Sequence, residues 1–126
     1  MSSAKQGGNN HFGKLGEDIA AGYLQRKGYK IIERNYRYGR NEIDIICSLD
    51  KEIIFVEVKT RASDDKAYPE RAVSKAKQKN IRITAENYLE EIGYRGSTRF
   101  DIIAVVKGDK FEIEHFEDAF YPFDVI

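Results

Sequence analysis

Two acids inside an apolar hairpin are the first place where this sequence could do chemistry. Residues 42–48 and 53–60 are rich in Ile and Val and are separated by Leu49-Asp50-Lys51-Glu52, which predicts two short antiparallel strands. With a two-residue turn at Asp50-Lys51, Ile46 faces Phe55, Ile45 faces Val56 and Ile43 faces Val58. Apolar residues then agree on both faces, and a slip of one residue would destroy that agreement. The same register sets Glu42 opposite Lys59 and Asp44 opposite Glu57, all on the face of Ile46 and Phe55. Glu42 and Lys59 make an ordinary cross-strand ion pair. Asp44 and Glu57 are like charges, roughly 5 Å apart at Cβ, and such a pair destabilises a sheet unless something offsets it. Three arrangements would offset it: the hairpin end projects into water, Lys59 and an arginine neutralise the acids, or the carboxylates hold a divalent cation whose octahedron waters complete. In the last case Lys59, two residues beyond Glu57 and on its face, is placed to orient a water or to stabilise negative charge developing on a phosphate.

Two predicted helices add to the pattern. From residue 12 to about 27, Leu15, Ile19 and Tyr23 recur every four positions, and Gly28 supplies a stop. Glu17 falls in one row with Ala20, Ala21 and Leu24, an acid at the edge of an apolar stripe. It serves either a surface ion pair or the same acidic site. A second helix is predicted over 70–89, with Arg71, Lys75, Gln78, Lys79 and Arg82 on one face. Lys77 lies in the opposite row with Val73, Ile81, Thr84 and Tyr88, which aims it at the sheet. Such a lysine either snorkels outward or, beside Gln78 and an acidic pair, walls an active site.

Further strands are predicted over 29–37, 100–106 and 110–116, giving the order α-β-β-β-α-β-β. Three sequential strands form a meander, and the third strand, second helix and fourth strand form a right-handed parallel crossover. The expected fold is therefore α/β (α+β), a mixed central sheet flanked by helices. Its 126 residues suit one domain over 12–126, after a Ser-, Gly- and Asn-rich segment, 1–11, expected to be disordered. Lys and Arg number 21 and so do Asp and Glu, which excludes a general polycation but not a basic face. Residues 71–82 carry five basic residues and no acid. A single Cys makes no internal disulfide and fits a reducing cytoplasm. No apolar run approaches the roughly 18 residues of a membrane span, and the first residues lack a signal peptide's apolar region. A soluble cytoplasmic protein with no membrane partner is expected.

The remaining candidates are structural. His11 and His115 have no second His or Cys at metal spacing, so zinc has no support. Cys47 alternates with Ile43 and Ile45 and reads as core, and Asp101 has Arg99 nearby as an ion-pair partner. The C-terminal stretch, with Phe120, Tyr121 and Phe123, packs either onto the sheet or onto a second subunit.

Helix Glu17, then Asp44, then Glu57-Val58-Lys59 resembles the PD-(D/E)xK nuclease superfamily, with its restriction-endonuclease-like αβββαβ core. The stretches Gly16-Glu17 through Leu24, Asn41-Glu42-Ile43-Asp44-Ile45-Ile46, Phe55-Val56-Glu57-Val58-Lys59-Thr60-Arg61, Lys77-Gln78 and Arg99-Phe100-Asp101 resemble a narrower group. It is the YraN-like family of predicted bacterial endonucleases, related to archaeal Holliday-junction resolvases. The similarity runs over residues 12–106. The resemblance implies Mg²⁺ or Mn²⁺ on Asp44 and Glu57 with the Val58 carbonyl, Glu17 assisting the metal or its waters, and Lys59 as the catalytic lysine. Lys77 and Gln78 match the polar residues of the second helix, and Arg61, Arg71, Lys75, Lys79 and Arg82 would track a DNA backbone. For a branched DNA, a homodimer would supply one site per symmetric strand. Two departures stand out: Asn41 replaces a glycine, and the loop 62–68 carries acids that would repel phosphate. The competing reading is a nucleic-acid- or protein-binding module without turnover. A small-molecule enzyme lacks support, since no Gly-rich phosphate loop and no Ser-His or Cys-His pairing is present.

Overall fold

The computed structural model describes residues 3–63 and 73–124. Helix α1 (Ser3–Arg26) is followed by strands β1 (Lys30–Tyr38), β2 (Asn41–Leu49) and β3 (Glu52–Ala62). Helix α2 (Lys75–Ile92), strands β4 (Thr98–Lys107) and β5 (Phe111–Phe116), and a short 3₁₀ turn (Pro122–Asp124) complete the chain. The expected order α-β-β-β-α-β-β is the observed one. One five-stranded sheet runs β1-β2-β3-β4-β5, with β3 and β4 parallel and every other neighbouring pair antiparallel.

Helix α1 begins at Ser3, ahead of the expected start near Phe12 and within the segment expected to be disordered. Propagation adds one hydrogen bond per residue fixed, so a helix extends beyond the face it buries. It ends where Gly28 adopts φ +94, with Tyr29 N–H donating to Leu24 O at 2.9 Å and Gly28 N–H to Gln25 O at 3.0 Å. The buried row is Ala20, Ala21 and Leu24, whereas Leu15 of the other row is exposed. Helix α2 starts later than expected, at Lys75. Ser74 is its N-cap, extended in backbone, and its hydroxyl accepts the Lys77 N–H at 3.1 Å. Arg71, predicted on this helix, lies outside the described residues, as does most of the predicted loop. Gly93, at φ +67, closes α2.

Two cores lie on the two faces of the sheet. On one, Leu24 of α1 packs with Ile45, Cys47, Ile54, Val56, Ile103 and Val105. On the other, Ile81, Ala85 and Tyr88 of α2 pack with Ile46, Phe55 and Phe100. Phe120 and Phe123 of the C-terminal stretch settle on Phe100, ring centroids 5.7 and 5.6 Å away. That stretch thus covers its own sheet. Cys47 is fully buried and burial pushes its thiol up to about 12, which keeps it inert.

Asp101 is equally structural. It is 0% exposed, and its carboxylate accepts from Arg99 Nε (2.9 Å), Arg99 Nη2 (2.8 Å) and the Asp118 N–H (2.9 Å), while Oδ2 lies 2.7 Å from His115 Nε2. Arg99 Nη2 donates also to the Tyr29 hydroxyl, and His115 Nδ1 hydrogen-bonds the Tyr23 hydroxyl. Burial alone would raise the Asp101 carboxyl, but these hydrogen bonds outweigh it and hold it below the usual carboxylate value.

Candidate metal centre

The hairpin register is as expected near the turn: Leu49 pairs with Glu52, Ile46 with Phe55 and Ile45 with Val56. The ladder then stops, short of the Asp44–Glu57 and Glu42–Lys59 positions. Val58 N–H, which a continued register would turn toward Ile43, donates instead to Asp44 Oδ2 at 2.8 Å. A side chain has taken a backbone acceptor's place. Ile43 packs with Ile46 and Phe55 in the α2-side core, not with Ile45 as the alternation predicted. The strand changes side where the Asp44 carboxylate enters the ladder.

This opening is where the acids meet. One oxygen each from Glu17, Glu42 and Asp44 lie within 4.8 Å of one another. Glu57 lies beside them, near enough for its charge to act on Asp44. Glu57 sits among Ile43, Phe55, Val56, Ile81 and Phe120, its side chain 16% exposed, and Lys77 Nζ reaches its Oε2 at 3.3 Å. Lys77 thus snorkels and still contacts the site: its side chain is 46% exposed while its ammonium pairs with Glu57.

Electrostatics follow from this crowding. Burial, then the Glu57, Glu17 and Glu42 charges, raise the Asp44 carboxyl to about 8 against the pull of the Val58 N–H. Burial raises Glu57 too, opposed by Lys77 and by Lys59. Two neighbouring half-buried acids whose charged forms are disfavoured are a site short of positive charge. Their donor atoms are hard carboxylate oxygens, the chemistry that Mg²⁺ and Mn²⁺ take.

Of the predicted site residues, Glu17 and Asp44 come together with Glu42, Glu57 neighbours Asp44 and pairs with Lys77, and Lys59 is close enough for its charge to act on Glu57. Val58 contributes a backbone N–H to Asp44. Gln78 turns away, its amide donating to Val73 O at 3.0 Å beside the helix start. Lys75 and Lys79 are exposed on the first turns of α2, and Arg82 is half-buried with its Nε out of contact with solvent. Arg61, at the end of β3, donates to Ala62 O.

Sequence reasoning missed Glu42 and Asn35. Glu42 binds Arg37 Nη2 at 3.0 Å and accepts from Asn35 Nδ2 at 2.9 Å. The available signal was Asn35 itself, a residue type that tolerates left-handed backbone, inside a predicted strand.

The height of Glu17 over the site depends on its neighbour Gly16. A Cβ at Gly16 would lie 2.1 Å from Thr60 Oγ1 and 3.2 Å from Thr60 Cβ. Gly16→Ala is expected to lift α1 off β3 and to cost about 1–3 kcal/mol of stability, measurable by chemical denaturation. Adding Thr60→Ala, which removes Oγ1, should restore most of that loss. No recovery in the double variant would place the clash elsewhere.

The fold and this cluster define an α/β domain of αβββαβ order with an acidic site where two central strands part. The chain belongs to the family described as "Uncharacterised protein family UPF0102", whose model matches residues 16–105. A UPF0102 protein of Chlorobium phaeobacteroides is 51% identical over 116 residues, covering 86% of this chain and 91% of the relative. One from Bacteroides fragilis is 44% identical over 115 residues, covering 90% and 95%. Among solved structures, Pyrococcus furiosus SfsA in complex with Ca²⁺ is similar at a TM-score of 0.39 and 19% identity, over 86% of this chain and 63% of that one. Among the described residues no helix is long and apolar enough to cross a membrane.

Proposed function

We propose that this chain is a metal-dependent endonuclease that hydrolyses DNA phosphodiester bonds, with branched or otherwise structured DNA as its substrate class. The observation that carries this reading is the acidic cluster of Glu17, Glu42 and Asp44 where the β2–β3 ladder opens, with Glu57 and its partner Lys77 beside Asp44. Asp44, Glu57 and the Val58 carbonyl would hold Mg²⁺ or Mn²⁺, with Glu17 alongside. When bound, the ion lowers the pKa of a water and polarises a phosphoryl oxygen. Lys59, on the same strand as Glu57, stabilises the charge that develops on the phosphate. Lys77, half in solvent and paired with Glu57, would be free to turn toward the substrate if Glu57 were taken up by the ion. Lys75, Lys79, Arg82 and Arg61 follow the DNA backbone, as would Arg71.

Such contacts make binding salt-sensitive and largely independent of sequence. Lys79→Ala is expected to weaken binding of linear and branched DNA alike and to reduce the slope of log affinity against log salt by about 1. Fluorescence anisotropy across a salt series measures it.

A second reading, a nucleic-acid- or protein-binding module without turnover, is favoured by one contact: Lys77 already supplies Glu57 with a positive charge at 3.3 Å. Incubating the protein with linear, flapped and four-way DNA, in Mn²⁺ or EDTA and beside Asp44→Asn, separates the two. Mn²⁺-dependent cleavage lost in the variant supports the nuclease. Binding without cleavage of any substrate overturns it in favour of the module. Gel filtration tests the two-fold dimer that cutting both strands of a junction would require.

A further inference from the structure

We propose that Asn35 is the positioning residue of the acidic site, a role that rests on the reading of that site as a metal centre. Asn35 lies in β1, one strand away from the hairpin, and no motif of the sequence includes it. Its backbone is left-handed, at φ 54, within a strand whose register has already shifted between Ile31 and Glu33. The pairing on either side, Arg34 with Ile45 and Tyr36 with Ile43, brackets Asn35 against Asp44.

From there the Asn35 amide nitrogen donates to Glu17 Oε1 and to Glu42 Oε2, both at 2.9 Å. One neutral group with two N–H donors therefore bridges two carboxylates from separate elements, α1 and β2. Those two carboxylates are the ones that lie within 4.8 Å of an Asp44 oxygen. Without the bridge, mutual repulsion would let Glu42 follow Arg37 outward and Glu17 follow Arg34, which approaches its Oε1 at 3.9 Å. The left-handed backbone aims the amide, and Asn accepts that conformation at small cost. Groups that orient metal-binding side chains in this way typically contribute 10–100-fold in affinity.

The test is Mn²⁺ binding to the metal-free protein by calorimetry, with Asn35→Gly and Asn35→Asp. Glycine keeps the left-handed backbone at ease and removes only the amide, so its melting temperature should stay near that of the wild type. Its Mn²⁺ affinity should fall about 10-fold or more. Asn35→Asp, which replaces the bridge with a further acid and repels both carboxylates, should lose at least as much specific binding. Asn35→Gly in a Glu42→Gln background should lose less than the product of the two single effects, because both act on one carboxylate. Asn35→Gly binding Mn²⁺ as tightly as the wild type overturns the proposal alone. A wild type that binds no Mn²⁺ overturns it together with the metal centre. A wild type whose Mn²⁺ affinity depends on Asn35 yet which cleaves no DNA leaves this role standing and removes only the nuclease.

Discussion

Asp44→Asn is expected to raise the melting temperature of the metal-free protein by roughly 5 °C or more at pH 8 and to abolish metal-dependent cleavage. Asparagine keeps an oxygen for the Val58 N–H, and its amide gives Glu57 a donor where the wild type must place a proton. The sign of the pH dependence follows from the raised Asp44 carboxyl. In the unfolded chain it titrates near the ordinary 3.8, in the fold at about 8. Between these values the folded state holds a proton that the unfolded state has released. The Asp44 contribution to stability therefore falls as pH rises from about 4 to about 8 and is constant above. The stability gap between Asp44→Asn and wild type should widen over that window, read as melting temperature in EDTA. Adding Mn²⁺ should stabilise the wild type and leave the variant unmoved. A variant less stable than wild type at pH 8 would make Asp44 a satisfied structural partner and remove the case for a cation.

Asp101→Ala should cost far more, about 3–5 kcal/mol, because it leaves Arg99 charged and enclosed without its main partner. In a domain of this size that is roughly 10–20 °C in melting temperature. The Asp101 carboxyl is held low, so its contribution is full above the ordinary value near 3.8 and is lost as acid protonates it. That dependence is opposite in sign to the one at Asp44. Wherever the Asp101→Ala protein remains folded, in the cold, its cleavage rate should stay within a few-fold of wild type. A loss of rate without a loss of stability would return Asp101 to the catalytic candidates.

Much of this molecule is legible in its sequence, for identifiable reasons. The alternation of Ile and Val around Asp50-Lys51 fixes the register near the turn, and the apolar density of residues 100–106 marks the strand that completes the parallel pair with β3. The acids at positions 44 and 57 stand out because an apolar hairpin has no other use for them. What period-two alternation cannot carry is its own interruption. It put Asp44 on the face of Ile46 and Glu42 opposite Lys59, whereas the ladder ends at Ile45 and Val56 and Ile43 crosses to the α2 side. A side-chain oxygen competing for a backbone N–H leaves no trace in hydropathy. The start of α2 differs for a similar reason: charged residues continue the helical pattern back to position 70, but Ser74 caps the helix and settles where it begins. Gln78 went the same way, consumed by a backbone carbonyl rather than offered to a site. Asn35 offers only its residue type as a signal, because its importance lies in a backbone angle that hydropathy does not carry.

The Val58 amide has a further consequence, for hydrogen exchange. Deep strand amides exchange only when the sheet comes apart, whereas this one is closed by a single carboxyl group. A rotation about the Asp44 side chain opens it while β3 stays in place. Its proton should therefore exchange far faster than those of its neighbours Val56 and Ile103, on a clock set by one rotamer, and it should slow when a cation pins that carboxylate. One backbone position thus reports the occupancy of the site from within the sheet.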